Sequence, residues 1–262
     1  MDQFFAFPDC YFGRAGHLNA WVTERRIPDA PAFVRGMRAL FVTDTHVLPR
    51  TTREDCRALR AKIEALSPDL LLFGGDYADQ PEDCARFFEA LAGLRPPLGW
   101  YGVLGNNDRE AWPRVRTLRH LMGEAGCVLL VNQHRRVPVG GGTLWIGGVD
   151  ELKRGRPYPA KALPPERESG VYSILISHYP KMDEPLPDLI LSGHTHGGQF
   201  NLLGLTPYAI GFERLMQPRL SVHAISGMRQ VRGTRLLVSK GIGASRIPLR
   251  VGVRPEIDLL LF

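Results

Sequence analysis

Residues 189–199 read Leu-Ile-Leu-Ser-Gly-His-Thr-His-Gly-Gly-Gln, and this stretch says most about the fold. Its first three residues form a short apolar run that stops at a glycine-bordered polar segment, as expected where a buried strand runs into a functional loop. The two histidines are two residues apart, so their imidazoles point to the same side if the segment is extended. The stretch therefore predicts a strand followed by two candidate metal ligands, His194 and His196.

Four earlier segments repeat this pattern, because an apolar run again ends in side chains that bind metals. In chain order they are Asp44-Thr45-His46, Gly74-Gly75-Asp76, Gly105-Asn106-Asn107-Asp108 and His178. Ligands collect outside the carboxyl ends of strands in open α/β sheets. We therefore expect these segments to converge on one crevice.

The predicted metal ligands contain only oxygen and nitrogen donors, a set that suits manganese, iron, cobalt or zinc better than calcium. They are Asp44, His46, Asp76, Asn106, His178, His194 and His196. A shared carboxylate, for which Asp76 is the candidate, can hold two such ions about 3.5–4 Å apart. A solvent molecule bridging the two ions loses a proton near neutral pH, so this metal-bridging hydroxide is the expected nucleophile and no Ser, Cys or Thr is needed.

Each motif has an ordinary structural explanation when it stands alone. An Asp-x-His pair is more often a satisfied polar turn, Gly-Asn-x-Asp is a common turn sequence, and His178 at a strand end can simply bond a carbonyl. Their order along the chain, each after a predicted strand, favours the metal site.

The wider pattern predicts an α/β fold with two packed mixed sheets flanked by helices. Strand–helix alternation comes early, strands follow one another later, and Gly140–Gly142 predicts a hairpin turn. Nothing marks a linker, so we expect one domain over residues 1–262, with residues 1–35 an irregular lead-in holding at most one short strand near residues 21–26. Predicted strands are residues 39–42, 70–73, 100–104, 144–146, 173–176, 189–191 and 236–238, and predicted helices are 53–66, 82–94 and 110–125.

Composition narrows the partners and the compartment. A net charge of +6 favours anionic partners such as phosphate esters, nucleic acid or acidic lipid head groups. The four cysteines show no metal or disulfide spacing, and no apolar run approaches the roughly 18 residues of a membrane span, so we expect a cytoplasmic protein with reduced thiols. Peripheral contact with the inner face of the membrane stays open, because aromatic residues cluster at the N-terminus, although packing of these rings on the domain is favoured. The cysteines are Cys10, Cys56, Cys84 and Cys127, and the aromatic residues are Phe4, Phe5, Phe7, Tyr11 and Phe12.

The motif series resembles the five-block signature of calcineurin-like phosphoesterases, the metallophosphoesterases, and spans residues 44–196. The extension Gly197-Gly198-Gln199 and the tail from Ser239 to Ile257 resemble one bacterial branch, often membrane-associated, that includes enzymes cleaving the pyrophosphate of UDP-2,3-diacylglucosamine. The tail motifs are Ser239-Lys240-Gly241-Ile242-Gly243, Pro248-Leu249-Arg250 and Pro255-Glu256-Ile257.

The resemblance implies a four-layer α/β/β/α sandwich and a binuclear centre, usually of manganese, iron or zinc. It implies that one metal is held by Asp44, His46, Asp76 and His196. It implies that the other metal is held by Asp76, Asn106, His178 and His194.

One position departs from the family pattern. Family members commonly read Gly-Asn-His-Asp, where the histidine is thought to protonate the leaving oxygen, but this chain has Asn107 there. An amide donates hydrogen bonds but delivers no proton at neutral pH. Loss of a general acid costs about 10²–10⁴-fold in rate where the leaving group needs a proton. We therefore expect phosphodiesters or pyrophosphates to be preferred over alkyl monoesters.

Other candidate catalytic residues flank that position. Asp108 is expected to orient a ligand, and Arg109 is a candidate phosphate binder, as are Arg246 and Arg250 in the tail. Two alternatives to diester or pyrophosphate hydrolysis remain at this point. One is a nuclease or cyclic-nucleotide phosphodiesterase. The net positive charge of the chain favours it, but the sequence has no basic patch interleaved with aromatic residues, as single-strand binding would favour. The other is a metal-binding scaffold with little or no catalysis, which Asn107 keeps open.

Overall fold

The fold is known from a computed structural model that describes residues 11–14, 16–203, 205–208 and 224–262. Its strands are β1 Phe12–Arg14, β2 Trp21–Arg26, β3 Arg38–Val42, β4 Leu70–Phe73, β5 Trp100–Gly102, β6 Val128–Leu129, β7 Gln133–Val139, β8 Gly142–Gly148, β9 Val171–Ile176, β10 Leu189–Ser192, β11 Gly227–Val231, β12 Thr234–Val238, β13 Leu249–Val251 and β14 Glu256–Leu261. Its α-helices are α1 Arg53–Leu66, α2 Pro81–Leu91, α3 Asn106–Ala111, α4 Val115–Ala125 and α5 Pro159–Ala162, with 3₁₀ turns at Ala32–Val34 and His196–Gly198.

The first sheet has the strand order β2-β14-β3-β4-β5-β6. Strands β3 to β6 run parallel, β14 runs antiparallel to β3, and β2 lies on the edge. Strand β4 is buried along its whole length, which explains its uninterrupted Leu-Leu-Leu-Phe sequence.

The second sheet has the order β11-β12-β10-β9-β8-β7, with parallel strands in its centre and antiparallel strands at both edges. The two sheets pack face to face, because Phe41 and Leu72 of the first share one apolar cluster with Ile146, Ile174 and Leu191 of the second. The prediction of two packed mixed sheets with helices is confirmed.

Helices α1, α2 and α4 cover the outer face of the first sheet. Helix α1 begins with a capping box between Thr52 and Asp55 and buries the face that carries Leu59 and Ile63. Among the described residues, short helix α5 and the loops around Leu163 and Met182 cover the outer face of the second sheet.

Two predicted helices differ from the structure. The stretch 110–125 is two helices, α3 and α4, because Pro113 lacks an N–H group and forces the preceding Trp112 out of helical geometry (φ −116°, ψ 79°). The helix predicted to reach residue 94 ends at residue 91, and Gly93 follows with a φ of 94°. The hairpin turn at residues 140–142 is present between β7 and β8.

The predicted lead-in holds more regular structure than the single short strand expected. Strand β2 lies at the expected residues, but β1 is also present and pairs with β13. Residues 1–10, which include Phe4, Phe5, Phe7 and Cys10, lie outside the described residues. Cys56, Cys84 and Cys127 are buried free thiols. Across the described ranges, no helix is both long and apolar enough to cross a bilayer.

Candidate metal centre

Loops at the carboxyl ends of five strands bring the seven predicted ligands together. Those after β3, β4 and β5 come from the first sheet, and those after β9 and β10 come from the second. Ligand atoms of Asp44, His46 and His196 lie within 4.8 Å of one another, and so do those of Asp44, Asp76 and His178. The convergence expected from the sequence is therefore present in the fold.

The backbone at these loops is unusual. Five of the seven predicted ligands have left-handed φ angles, a conformation that costs non-glycine residues energy. These angles are 51° at Asp44, 40° at His46, 54° at Asp76, 68° at His194 and 52° at His196. Strain of this kind persists where the surrounding structure enforces it and is typical of functional sites.

The first group of donors lies around Asp44. His196 Nε2 is 3.5 Å from Asp44 Oδ1, and the rings of His46 and His196 are 5.0 Å apart between centroids. Both oxygens of Asp44 accept the backbone N–H of His194, at 3.1 and 3.0 Å. The carboxylate is thus fixed by the loop that carries the other ligands.

The second group of donors lies around Asp76. Its Oδ2 is 3.5 Å from Nε2 of both His46 and His178, so this carboxylate lies between the two groups. His178 Nε2 is 3.3 Å from Asn106 Oδ1 and 3.3 Å from His194 Nδ1. All four residues of the second predicted set therefore lie in contact.

The donor atoms fit bound metal ions. Nε2 of His46 is buried and has no hydrogen-bond partner, which is costly unless something else occupies it. Two ligands that each lie about 2.1 Å from one ion are at most about 4.2 Å apart. The separations of 3.3–3.5 Å between donors meet that limit.

Hydrogen-bonding groups on the side away from the centre hold the imidazoles in place. His46 Nδ1 lies 3.0 Å from Asp79 Oδ1, and His178 Nδ1 lies 2.9 Å from the carbonyl oxygen of Gly74. Arg250, which is 1% exposed, lies behind His196, with Nη2 3.2 Å from Nδ1 of that ring. Since both His46 and His178 use Nδ1 outward, each presents Nε2 to the centre, the arrangement typical of metal-bound histidines.

Burial and neighbouring charge shift the pKa values of these groups strongly. Burial opposes charge on His178, but Asp76 raises the pKa of this histidine to about 10. Burial, with the charge of His178, lowers the pKa of His194 to about 3. Burial likewise lowers the pKa of His196, and it raises the pKa of Asp44. For Asp76, the charges of His178 and His46 outweigh burial and lower the pKa.

The three candidate catalytic residues occupy different places. Asn107 lies at the rim and donates through Nδ2 to Asp79 Oδ1 at 3.1 Å, while its backbone N–H donates to Asp76 Oδ1 at 2.8 Å. Asp108 is fully buried, and burial with the Asp76 charge raises its pKa to about 7. Arg109 is half-buried, with Nη2 3.7 Å from Asp150 Oδ2.

Asp108 supports the loop that carries Asp76, on the side away from the candidate ligands. Its oxygens accept the backbone N–H groups of Asp76 at 2.7 Å, Tyr77 at 3.0 Å and Gly105 at 2.9 Å. It therefore ties the loop after β4 to the start of α3.

Arg250 differs from its expected role as a phosphate binder. It is buried and donates to the carbonyl oxygens of Gly243 at 2.6 Å, Lys240 at 2.7 Å and His196 at 3.4 Å. The guanidinium is committed to protein groups and orients the ligand loop. Sequence reasoning missed Asp79, which no motif marks, although it lies only three residues after Asp76.

Comparison with known proteins finds phosphoesterases among the relatives of this chain. The sequence pattern of the family described as "Calcineurin-like phosphoesterase" matches residues 37–198. The chain is 30% identical over 234 residues to the uncharacterized metallophosphoesterase YkuE of Bacillus subtilis, covering 86% of this chain and 78% of the relative. It is 30% identical over 239 residues to the phosphodiesterase YaeI of Escherichia coli, covering 85% of this chain and 81% of the relative.

A solved structure with a similar fold is TT1561 of Thermus thermophilus. It shares 12% identity and a TM-score of 0.45, covering 79% of this chain and 90% of that chain.

Proposed function

This chain belongs to the calcineurin-like phosphoesterase family, and we propose that it hydrolyses phosphodiester or pyrophosphate bonds at a centre of two metal ions held by the seven converging ligands. It is a metal-dependent phosphoesterase. The observation that carries the two-ion proposal is the pair of donor groups, with Asp44 common to both and Asp76 adjoining a histidine of each. Asp76 is the proposed bridging ligand.

The protein's own residues set up the site before any ion binds. Asp79 and the Gly74 carbonyl orient His46 and His178, while Asp108 anchors the Asp76 loop through three backbone N–H groups. When bound, two divalent cations supply Lewis-acid polarisation of the phosphoryl group and a deprotonated water at neutral pH. Holding the ligands rigidly avoids reorganisation during the reaction.

The substrate preference follows from the groups that can donate a proton. Asn107 has no titratable proton, and its Nδ2 already donates to Asp79. A hydrogen bond and the charge of His46 outweigh burial and lower the pKa of Asp79, so this group is ionised. Asp108 uses its oxygens as acceptors of backbone N–H groups. We therefore propose that the leaving group departs as a stable anion, as a nucleoside phosphate or a phenolate does.

We propose a nucleotide-sugar or lipid-linked pyrophosphate, such as UDP-2,3-diacylglucosamine, as the natural class of substrate. The Gly-Gly-Gln extension and the glycine-bordered tail support this choice. A lipid substrate also agrees with exposed apolar side chains that follow the ligand loop in sequence, since Leu202, Leu203 and Leu205 come after Gln199 and are 54–85% exposed. These leucines are the described residues we propose for peripheral membrane contact.

The first experiment compares bis(p-nitrophenyl) phosphate with p-nitrophenyl phosphate in added manganese, the ion we propose. We expect diester turnover by the native chain and loss of that turnover in Asp76→Asn. A higher specificity constant for an alkyl monoester than for a diester or pyrophosphate would contradict the proposed preference. About two bound metals per chain without turnover of any of these substrates would instead indicate a metal-binding scaffold.

A further inference from the structure

A cavity of 320 Å³ lies beside the metal centre and takes no part in holding the ions. It opens between the loop after β3 and the loop before β13. Two arginines and one carboxylate supply its charged lining, and the remaining walls are apolar. The charged residues are Arg50, Asp79 and Arg246, and the apolar ones used here are Leu48, Ala244 and Pro248.

The cavity borders the first group of candidate ligands through Asp79. Asp79 lines it and lies 3.0 Å from His46 Nδ1. Arg50 follows His46 by four residues on the same loop. Gly243, which precedes the lining residue Ala244, packs so closely that an added Cβ would lie 2.7 Å from His46 Cβ. The side chain of His46 therefore separates this cavity from the candidate metal centre.

The loop that carries Arg246 is held by the Gln199 side chain. Oε1 of Gln199 accepts the backbone N–H of Ser245 at 2.9 Å, and Nε2 donates to the carbonyl oxygens of Ser245 and Ile247 at 3.2 and 2.8 Å. These contacts bracket Arg246, whose φ of 57° is strained for a residue with a side chain. Gln199 of the Gly-Gly-Gln extension and the tail loop that carries Arg246 are thus joined by hydrogen bonds.

We propose that this cavity binds the second phosphate of a pyrophosphate substrate, with Arg246 as the specificity-determining residue and Gln199 as its positioning residue. This inference rests on the proposed function and specifies where the phosphate that is not attacked lies. A guanidinium presents paired N–H donors that match phosphate oxygens.

The charges favour an anion in spite of the carboxylate. The lining contains two guanidinium groups and one carboxylate. Oδ1 of Asp79 already accepts from Asn107 Nδ2 and contacts His46 Nδ1. Arg246 is exposed and has no hydrogen bond or ion pair within the described ranges, so its donors are open to a ligand.

The test measures binding to the manganese-loaded protein by calorimetry, so it does not depend on turnover. The probes are AMP, with one phosphate, and adenosine 5′-(α,β-methylene)diphosphate, with two. In Arg246→Ala we expect the preference for the diphosphate over AMP to fall about tenfold or more, the loss of one charge-assisted contact, with partial recovery in Arg246→Lys. Arg116→Ala, an exposed arginine on α4, is the matched control and should keep the native preference.

The positioning role is tested by a double-mutant cycle. Gln199→Met removes the contacts to the loop without adding charge, and we expect it to lower the same preference. Combined with Arg246→Ala, it should cause little further loss, because both changes disable one contact. Full additivity would overturn the positioning role.

The outcomes separate this inference from the proposed function. An equal loss of affinity for AMP and for the diphosphate in Arg246→Ala, or no loss for either, would overturn the subsite. Hydrolysis of UDP-glucose by the native chain tests the pyrophosphatase activity itself. Failure to hydrolyse it, with the diphosphate still bound through Arg246, would overturn the activity and leave the subsite in place.

Discussion

Arg250 is a buried cation whose replacement should weaken both the fold and the metal centre. Arg250→Met keeps a side chain of similar length but removes every donor. The carbonyl oxygens of Gly243 and Lys240 then lose hydrogen bonds of 2.6 and 2.7 Å, and His196 Nδ1 loses a contact of 3.2 Å. Burial lowers the pKa of Arg250 only to about 10, so the native side chain is charged at pH 7.

The magnitude follows from these contacts. Each of the two short bonds from a charged donor contributes about 1.5–3 kcal/mol, and removing a buried cation returns part of that through its desolvation. A net loss of about 3 kcal/mol corresponds to a fall of about 6–12 °C in melting temperature for a chain of this size. Arg250 also holds the backbone carbonyl of the candidate ligand His196 at 3.4 Å, so by analogy with other groups that position metal ligands we expect manganese binding to weaken about 10- to 100-fold.

The assay is thermal unfolding followed by circular dichroism, together with manganese titration of the metal-free protein. Arg116→Met, on the exposed face of α4, is the control and should melt with the native chain. An Arg250→Met protein that melts within about 2 °C of native would refute the assigned role of the buried hydrogen bonds. Unchanged manganese affinity would show that His196 does not depend on the guanidinium.

Three further predictions concern other parts of the fold. An added Cβ at Gly105 would lie 2.0 Å from Asp76 Oδ1, so Gly105→Ala should lose metal and lower diester turnover about 10²-fold. An added Cβ at Gly123 meets nothing within 4 Å. Gly123→Ala should therefore raise the free energy of unfolding in urea by about 1 kcal/mol. Burial and Glu256 raise the pKa of Asp258 to about 7, so the folded state holds a proton that the unfolded state releases near pH 4, and the stability from this group is lost as pH rises to 7. Asp258→Asn lacks this loss, so from pH 5 to pH 8 its unfolding free energy should improve relative to native by about 3 kcal/mol, and an equal difference at both pH values would contradict the assignment. Chelation should lower the melting temperature, and manganese at about 100 times its dissociation constant should restore about 2.7 kcal/mol, whereas a melting temperature independent of manganese would count against a metal site.

The convergence of the candidate ligands could be predicted from the sequence because each follows a strand that local patterns identify. Asp76 and His178 are 102 residues apart, yet each follows an apolar run. The sheet topology brings the ends of these two strands together. Where local pattern was silent, prediction failed. Strand β14 was not predicted, because Glu256 and Asp258 interrupt its apolar run, and their burial depends on Arg25 of β2, whose Nε lies 2.7 Å from Asp258 Oδ1.

Other features depend on contacts that no window of sequence contains. The side-chain amide of Gln199 hydrogen-bonds to a loop 46 residues away. The role of Asp79 becomes visible only in the fold, where it lies beside His46. Pro113 is a local signal for the helix break. The single helix predicted over residues 110–125 was wrong because the helical spacing of apolar residues was given more weight than this proline. The roles of Asn107 and Arg109 stay predictions.

The place of β14 between β2 and β3 has a consequence for synthesis of the protein. Among the described residues, β2 pairs only with β14, and Trp21 lies opposite Glu256. This edge of the first sheet therefore forms only after a partner 235 residues later has been synthesised. At ribosomal rates of about 5–20 residues per second, that wait is on the order of 10 s or more. The candidate ligands from residue 44 to residue 196 leave the ribosome before the strand that completes the first sheet. A nascent chain therefore carries an open β3 edge, and chaperones have that interval in which to cover it.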